Sequence, residues 1–163
     1  MSEPTRSEAA RIADQLRRAF DGDAWHGDSL FEILEGVTAA QAAAQAAARP
    51  ITRAHTIWEL VLHIAAWDGA VLRRLSGTAV TLSDAENFPS VTDTSEAAWL
   101  RTLAEMRRVH EELVRAVSTF PDSRLEEIVP GKKDAHYTFY YMLHGVLQHE
   151  LYHAGQIALL KKM

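Results

Sequence analysis

The sequence predicts an all-α protein: a four-helix bundle with one long connection, carrying short helical pieces, between helices 1 and 2. Four long segments space their apolar residues at intervals of three and four, the period of a helix with one buried face. Turn-forming residues are few and grouped between those segments, and no segment shows the sustained alternation of a strand. With 163 residues, 47% of them hydrophobic, the chain is expected to form one domain over residues 1–163.

The first two predicted helices carry the same start signal. Thr5 and Glu8 have the spacing of a capping box, and so do Thr56 and Glu59. The second helix is expected to end at Gly77, because glycine is favoured just after a helix. The apolar stripe of the first helix is Ile12, Leu16 and Phe20, and that of the second is Ile57, Leu60, Ile64, Trp67, Val71 and Leu75.

The connection between these helices contains an apolar run at residues 30–34, which predicts a short helical piece, and then an Ala/Gln tract, which predicts solvated helical turns. The third helix is expected after Asp93, an N-cap candidate with Glu96 three residues later. The fourth is expected from about Tyr137 to Lys162. The inward stripe of the third helix is Trp99, Leu103, Met106, His110, Leu113 and Val117.

The composition excludes several classes of function. The chain has no cysteine, so disulfides, thiolate metal ligands and a cysteine nucleophile are all ruled out. Its formal net charge is -5 and its basic residues are scattered, so we expect no nucleic-acid partner. It has neither the basic and apolar start of a secretory signal nor an apolar stretch long enough to span a membrane. A cytoplasmic location without a membrane partner is therefore expected.

Two histidines interrupt the apolar fourth helix in the stretch "QHELYHAGQ". His149 and His153 lie roughly 40° apart and about 6 Å along one helix face, so their imidazoles can share one ion. That face also carries Met142, Gly145, Gln156 and Leu160 and is expected to point into the bundle. Because the chain has eight histidines, this spacing alone is weak support for a metal site. The missing side chain at Gly145 indicates either room for a ligand or close helix packing.

A third ligand is required, because catalytic metal sites commonly use three protein ligands. His63 is the best candidate, at the edge of the second helix's apolar stripe, with a hydrogen-bonded boundary histidine as the alternative. His110 faces the interior, either as a core histidine satisfied by a neighbour or as a fourth ligand or substrate contact. His144 lies nearly opposite His153 on the helical wheel, and Asp68 lies about 140° from His63, so neither is counted as a ligand.

The remaining candidates have less support. Glu59, Tyr152 and Gln156 are placed by wheel position where they could orient ligands or substrate. Three other histidines fall in or beside loops and are expected to be solvated. They are His26, His55 and His136. Tryptophans such as Trp25 and Trp99 are expected in either the core or an interface.

Two segments resemble the signatures of a known family. "ELVLHIAAWDGAVLRRLSG" and "GVLQHELYHAGQIALLKK" are similar to the two signature segments of the DinB-like (DinB/YfiT) superfamily. "AWHGDSLFEILEGVTAAQAAAQAAARP" is similar to the region between the first two helices in one branch of it. The resemblance covers most of the chain and is weakest over residues 80–135. It implies a four-helix bundle that holds a divalent metal ion through His63, His149 and His153.

The resemblance also implies a range of functions. Characterised relatives include metal-dependent transferases that use low-molecular-weight thiols, and others are described as hydrolases. We therefore expect a metal-dependent enzyme, in first place a thiol-dependent S-transferase acting on a small-molecule substrate. A hydrolase using metal-bound water and a bundle that binds metal or a small molecule without turnover are the alternatives. Zn or Ni is the expected ion, although imidazole also suits Cu and Fe. A homodimer is the expected assembly.

Overall fold

The computed structural model describes residues 6–44 and 55–163, and within these ranges the chain is helical without strands. One 3₁₀ turn, Asp122–Arg124, lies between the last two long helices. The helices are α1 (Glu8–Asp21), α2 (Leu30–Leu34), α3 (Ala39–Ala43), α4 (Ile57–Leu75), α5 (Asp84–Asn87), α6 (Glu96–Ser118) and α7 (Phe139–Leu160).

The four long helices form the predicted bundle. Helix α4 packs against both α6 and α7, and α1 packs against the same two helices. Helices α1 and α4 therefore stand diagonally opposite each other, with α6 and α7 on the other diagonal. This arrangement places the inward face of α4 directly beside that of α7. None of the helices in the described part of the chain is long and apolar enough to cross a membrane.

The start and end of α4 confirm the sequence prediction. The Thr56 hydroxyl accepts a hydrogen bond from the Glu59 amide at 3.1 Å, and the Glu59 carboxylate accepts one from the Thr56 amide at 2.8 Å. This reciprocal pair is the predicted capping box. Gly77 follows the helix with a φ of 95°, a left-handed conformation that glycine adopts without strain.

Two other predicted helix starts are displaced. The N-cap of α1 is Ser7, whose hydroxyl accepts from the amide of Ala10, while Thr5 lies outside the described residues. The N-cap of α6 is Ser95, not Asp93. The Asp93 carboxylate instead accepts from the Ser95 amide at 2.9 Å, forming a turn that precedes the helix.

The connection between α1 and α4 carries the short helices α2 and α3, as predicted. The Ala/Gln tract is helical from Ala39 to Ala43, but the prediction that it is solvated is wrong, because Ala39 and Ala42 are buried in the core. The part of the tract after Ala44 lies outside the described residues. A further short helix, α5, was not predicted. It begins at a capping box between Ser83 and Glu86 and ends at Asn87, in a stretch for which the sequence predicted no helix.

The bundle core has two apolar halves. One half gathers side chains around Trp58, Ile64 and Met106, and the other gathers them around Val71 and Leu113. A buried polar layer, which we define as Asp68, His110 and Glu150, comes from the stretches of α4, α6 and α7 between those halves. Trp99 lies in the core and donates from its indole nitrogen to the Val37 carbonyl at 2.7 Å, whereas Trp25 is fully exposed.

Candidate metal centre

Three histidines from the neighbouring helices α4 and α7 meet in one group, which we call the histidine cluster: His63, His149 and His153. One ring nitrogen of each lies within 4.8 Å of the others. The Nε2 atoms of His63 and His149 are 2.9 Å apart. His63 and His153 are buried, and His149 is half-buried. The structure thus brings together the three residues that the sequence singled out as metal-ligand candidates.

The main chain fixes the ring of His63. Its Nδ1 lies 2.7 Å from the carbonyl oxygen of Asn87, at the end of α5. A carbonyl can only accept, so Nδ1 carries the proton and Nε2 directs its lone pair toward the cluster. The Asn87 side chain is itself held, because its Oδ1 accepts from the indole nitrogen of Trp67 at 2.8 Å. The hydrogen bond from the His63 Nδ1 to the Asn87 carbonyl is of the kind that metal-binding histidines typically make with the ring nitrogen that does not bind the ion.

Aromatic stacking adds to the positioning of His63. Phe88 stacks on the His63 ring with centroids 4.1 Å apart, and His55 stacks on Phe88 at 3.8 Å. The His55 Nδ1 also lies 3.4 Å from a carboxylate oxygen of Glu59. The prediction of a simply solvated His55 is therefore incomplete: its outer part is exposed, but the ring belongs to a column that ends at the cluster.

Gln156 fixes the orientation of His153. The Gln156 Oε1 accepts from the His153 Nδ1 at 2.7 Å, which leaves the Nε2 lone pair of His153 free to bind an ion. His149 differs from both neighbours, because its Nδ1 is buried without a hydrogen-bond partner among the described residues. The sequence placed Gln156 on the same face of the helix, and the structure gives it a defined contact there.

All three imidazoles favour the neutral form. Burial lowers the pKa of His149 to about 3, with the neighbouring His153 and His63 adding to the effect. Burial likewise lowers the pKa of His63, outweighing its hydrogen bond to Asn87. Burial also lowers the pKa of His153, despite its bond to Gln156. Neutral imidazoles are the form that binds metal ions, so the cluster is ready to accept a cation near neutral pH.

The geometry fits a divalent ion. Nitrogens bound about 2.1 Å from a common ion are separated by roughly 3.0–3.4 Å, depending on the coordination angle. The 2.9 Å between the Nε2 atoms of His63 and His149 is close to that range. The Nε2 lone pair of His63 points at the Nε2 of His149. An ion between the two rings could therefore bind both Nε2 atoms.

A cavity of about 230 Å³ opens beside His149. A side-chain carbon added at Gly145 would meet no atom within 4 Å, so this glycine borders open space and not a closely packed helix. Of the two explanations that the sequence left for Gly145, room for a ligand is the one that the structure supports. The cavity is lined by Trp67, Val71, Arg74, Tyr137, Tyr141, Met142, Gly145, Val146 and His149.

The other orienting candidates lie at the margin. Glu59 uses its carboxylate for the capping box and for the contact with His55. Tyr152 is 66% exposed, with its ring centroid 5.1 Å from that of His153. Neither contributes an atom to the histidine cluster. His144 also lies outside it, as the helical wheel predicted.

His110 belongs to the buried polar layer. Its Nδ1 lies 3.0 Å from a carboxylate oxygen of Asp68 and 3.1 Å from one of Glu150. It is a core histidine, as one of the two sequence interpretations had it, and it is not part of the histidine cluster. Its neighbours satisfy Nδ1, whereas its buried Nε2 has no hydrogen-bond partner among the described residues. Burial opposes its charge, but Glu150 and Asp68 outweigh burial and raise the pKa of His110 to about 10. Burial raises the pKa of Glu150, with Asp68 adding to the increase.

Sequence reasoning missed five residues that hold these groups. Asp68 and Glu150 were not expected in the core, although the 140° that separates Asp68 from His63 on the wheel points it toward another helix. Asn87 and Phe88 contact His63 from the end of α5 and the residue after it, and His55 stacks on Phe88. Helical periodicity gives no signal for such contacts between separate segments.

No curated protein and no solved structure matches the chain significantly. The family model described as the DinB superfamily matches residues 24–157, a range that contains both the histidine cluster and the buried polar layer. Because this match spans well over half of the sequence and agrees with the resemblance of the two helical segments, the chain belongs to the DinB superfamily.

Proposed function

We propose that this protein is a divalent-metal-dependent enzyme that transfers a low-molecular-weight thiol to an electrophilic small molecule. The observation that carries the proposal is the position of three neutral imidazoles beside an open cavity. A structural metal site is closed by four protein ligands, whereas a catalytic site keeps an open position. Among the described residues, no fourth ligand joins the three histidines in this group. The cavity reaches His149.

The chain would contribute positioning, and the ion would contribute charge. A divalent ion bound by the cluster would lower the pKa of a thiol or water in an open position. The hydrogen bonds that His63 donates to the Asn87 carbonyl and that His153 donates to the Gln156 Oε1 hold the rings in one tautomer. Trp67 and Met142 give the cavity apolar walls. The thiol must come from a cosubstrate, because the chain has no cysteine.

The test begins with elemental analysis of the purified protein loaded with Zn²⁺ or Ni²⁺. The loaded protein is then assayed with several cellular thiols and a chromogenic electrophile. We expect about one ion per chain and thiol transfer that stops after chelation and returns when the ion is restored. Loss of transfer in His153→Ala, with transfer retained in His144→Ala, would connect the activity to the cluster. His144 is the matched control, because it lies on the same helix outside the cluster.

Two results would replace the proposal. Metal-dependent cleavage of esters or amides without thiol transfer would favour the hydrolase, in which water takes the open position. Stoichiometric metal with no turnover of any substrate would favour a binding protein. Expected further properties are a homodimer and a cytoplasmic location. Sedimentation of the loaded protein checks the first, and fractionation of cells checks the second.

A further inference from the structure

Arg74 is a buried cation with no carboxylate partner in the part of the chain that the structure describes. Its side chain lies near the end of α4 and is only 1% exposed. One guanidinium nitrogen donates to the Val80 carbonyl at 2.9 Å, and another lies 3.5 Å from the Tyr137 hydroxyl. The Nε atom is buried and has no partner among the described residues. A buried charge is costly unless it is compensated, so this guanidinium is suited to an anion.

Arg74 lines the same cavity as His149. Its guanidinium carbon lies 5.5 Å from the centroid of Trp67, whose ring lies 5.7 Å from that of His149. Trp67 therefore separates a cationic end of the cavity from the imidazole end. Val71, Met142 and Val146 add apolar surface between the two ends. The cavity matches a molecule with a charged end, an apolar middle and a second polar end.

We propose that Arg74 binds the carboxylate of an elongated, partly apolar substrate or cosubstrate, whose other end lies at the histidine cluster. The assignment of that other end rests on the proposed function, whereas the carboxylate site does not. A planar carboxylate can take two parallel hydrogen bonds from one edge of a guanidinium. In Arg74 such an edge includes Nε, which has no partner within residues 6–44 and 55–163. Its single charge also matches the single cation, whereas a phosphate would bring excess negative charge into a buried space.

The test uses ω-phenylalkanoates of increasing chain length and, for each, the alcohol of the same length without charge. Binding to the full chain is measured by calorimetry at pH 7.5, both after metal loading and after chelation. We expect one carboxylate of the series to bind at least tenfold more tightly than its alcohol in both states. Binding that requires the metal, or equal affinity for acid and alcohol, would overturn the proposal.

Matched variants locate the site. Arg74→Met should reduce carboxylate affinity at least tenfold, whereas Arg73→Met at the adjacent exposed arginine should leave it unchanged. Gly145→Leu should fill the cavity and abolish binding while Arg74 remains in place. If Arg74→Met fails to fold, Arg74→Lys keeps the charge and should retain weakened binding. Unchanged binding in a folded Arg74→Met or in Gly145→Leu would contradict the proposal.

The same measurements separate this inference from the proposed function. Tight carboxylate binding by the chelated protein with no thiol transfer after metal loading would support the Arg74 site and reject the transferase. Thiol transfer after metal loading, with no preference for carboxylates over alcohols at any chain length, would support the transferase and reject the Arg74 site.

Discussion

The histidine cluster and the buried polar layer are both groups of three ionisable side chains within 4.8 Å, and they have opposite electrostatic character. In the cluster, the ionisable groups that affect His149 are the imidazoles of His153 and His63, and burial favours its neutral form. In the layer, the same ring type at His110 is more deeply buried, yet two carboxylates keep it protonated. The chemical state of a buried histidine is thus determined by its neighbours more than by its depth.

The two groups also differ in access. The cluster borders a cavity at His149, and the protons of His63 and His153 are on Nδ1, so their Nε2 lone pairs can accept a cation from solution. The layer lies between two apolar halves of the core, and its histidine supplies the positive charge that its carboxylates need. We therefore expect the cluster to determine metal binding and the layer to determine stability.

The largest expected effect is the loss of metal from His149→Ala and His153→Ala. Each variant removes one of three ligands, and two histidines seldom hold a divalent ion firmly. We expect elemental analysis after dialysis to find almost no bound ion in either variant, whereas His110→Ala should keep it. Full metal content in both cluster variants would show that the ion, if present, binds elsewhere.

The converse variant, His110→Ala, should mainly reduce stability. It leaves Asp68 and Glu150 facing each other without a cation, and removing one partner of a buried charged group typically costs about 3–5 kcal/mol. Urea denaturation of the metal-free protein would measure this loss. Glu111→Ala, at the exposed neighbouring position, is the control and should change the unfolding free energy little. An equal loss of unfolding free energy in His110→Ala and Glu111→Ala would contradict the assignment of a stabilising role to the buried polar layer.

A smaller effect is expected from Gln156→Ala. The variant removes the acceptor that orients His153 but leaves every ligand in place, and such outer contacts are worth about 10- to 100-fold in metal affinity. Competition with a chromophoric chelator measures the change. Tyr152→Phe is the comparison on the same helix, where we expect no change because the hydroxyl is on an exposed side chain. Equal affinities in Gln156→Ala and the unmodified protein would contradict the assigned role.

The two groups should also give a pH dependence of opposite sign in the metal-free protein. His110 has a folded pKa of about 10, above its ordinary value of 6.5, so its stabilisation is complete below pH 6.5 and is lost as pH rises toward 10. His149 has a lowered folded pKa, so its contribution is present above pH 6.5 and is lost as pH falls toward 3.

Stability should therefore fall as pH rises above 6.5, with a slope of no more than about 1.4 kcal/mol per pH unit for each proton. The raised pKa of Glu150 acts in the same direction. Urea denaturation between pH 5 and 9 measures the curve. His110→Ala should flatten its alkaline side only. A stability that rises from pH 7 to pH 9 in the unmodified protein would contradict the charge assigned to His110.

The long helices and the histidine cluster were predictable because their signals are local. Apolar periodicity defined the bundle, and a separation of four residues on α7 placed His149 and His153 on one face. The capping box at Thr56 and Glu59 was predicted to the residue because both of its hydrogen bonds lie within three positions of sequence.

The rest of the site depends on contacts that periodicity does not encode. Asn87 and Phe88 reach His63 from a segment more than 20 residues away, and their placement follows from the course of the loop. Glu150 was not expected to be buried. Its partners Asp68 and His110 come from α4 and α6, and the sequence of α7 alone does not indicate them. Local signals at Asp93 also favoured a helix start two residues too early, since the same side chain serves equally well in a turn.

The contact between His63 and the Asn87 carbonyl has a consequence for how the site can change. The acceptor is a backbone atom, so substitution of the Asn87 side chain leaves it in the chain. The site requires that the segment from Gly77 to Asn87 hold the Asn87 carbonyl beside His63. Local unfolding of this segment would break that hydrogen bond and release the ring of His63. By reciprocity, a metal ion bound to His63 would favour the closed segment. Protection of the amides of α5 against hydrogen exchange would then report metal occupancy.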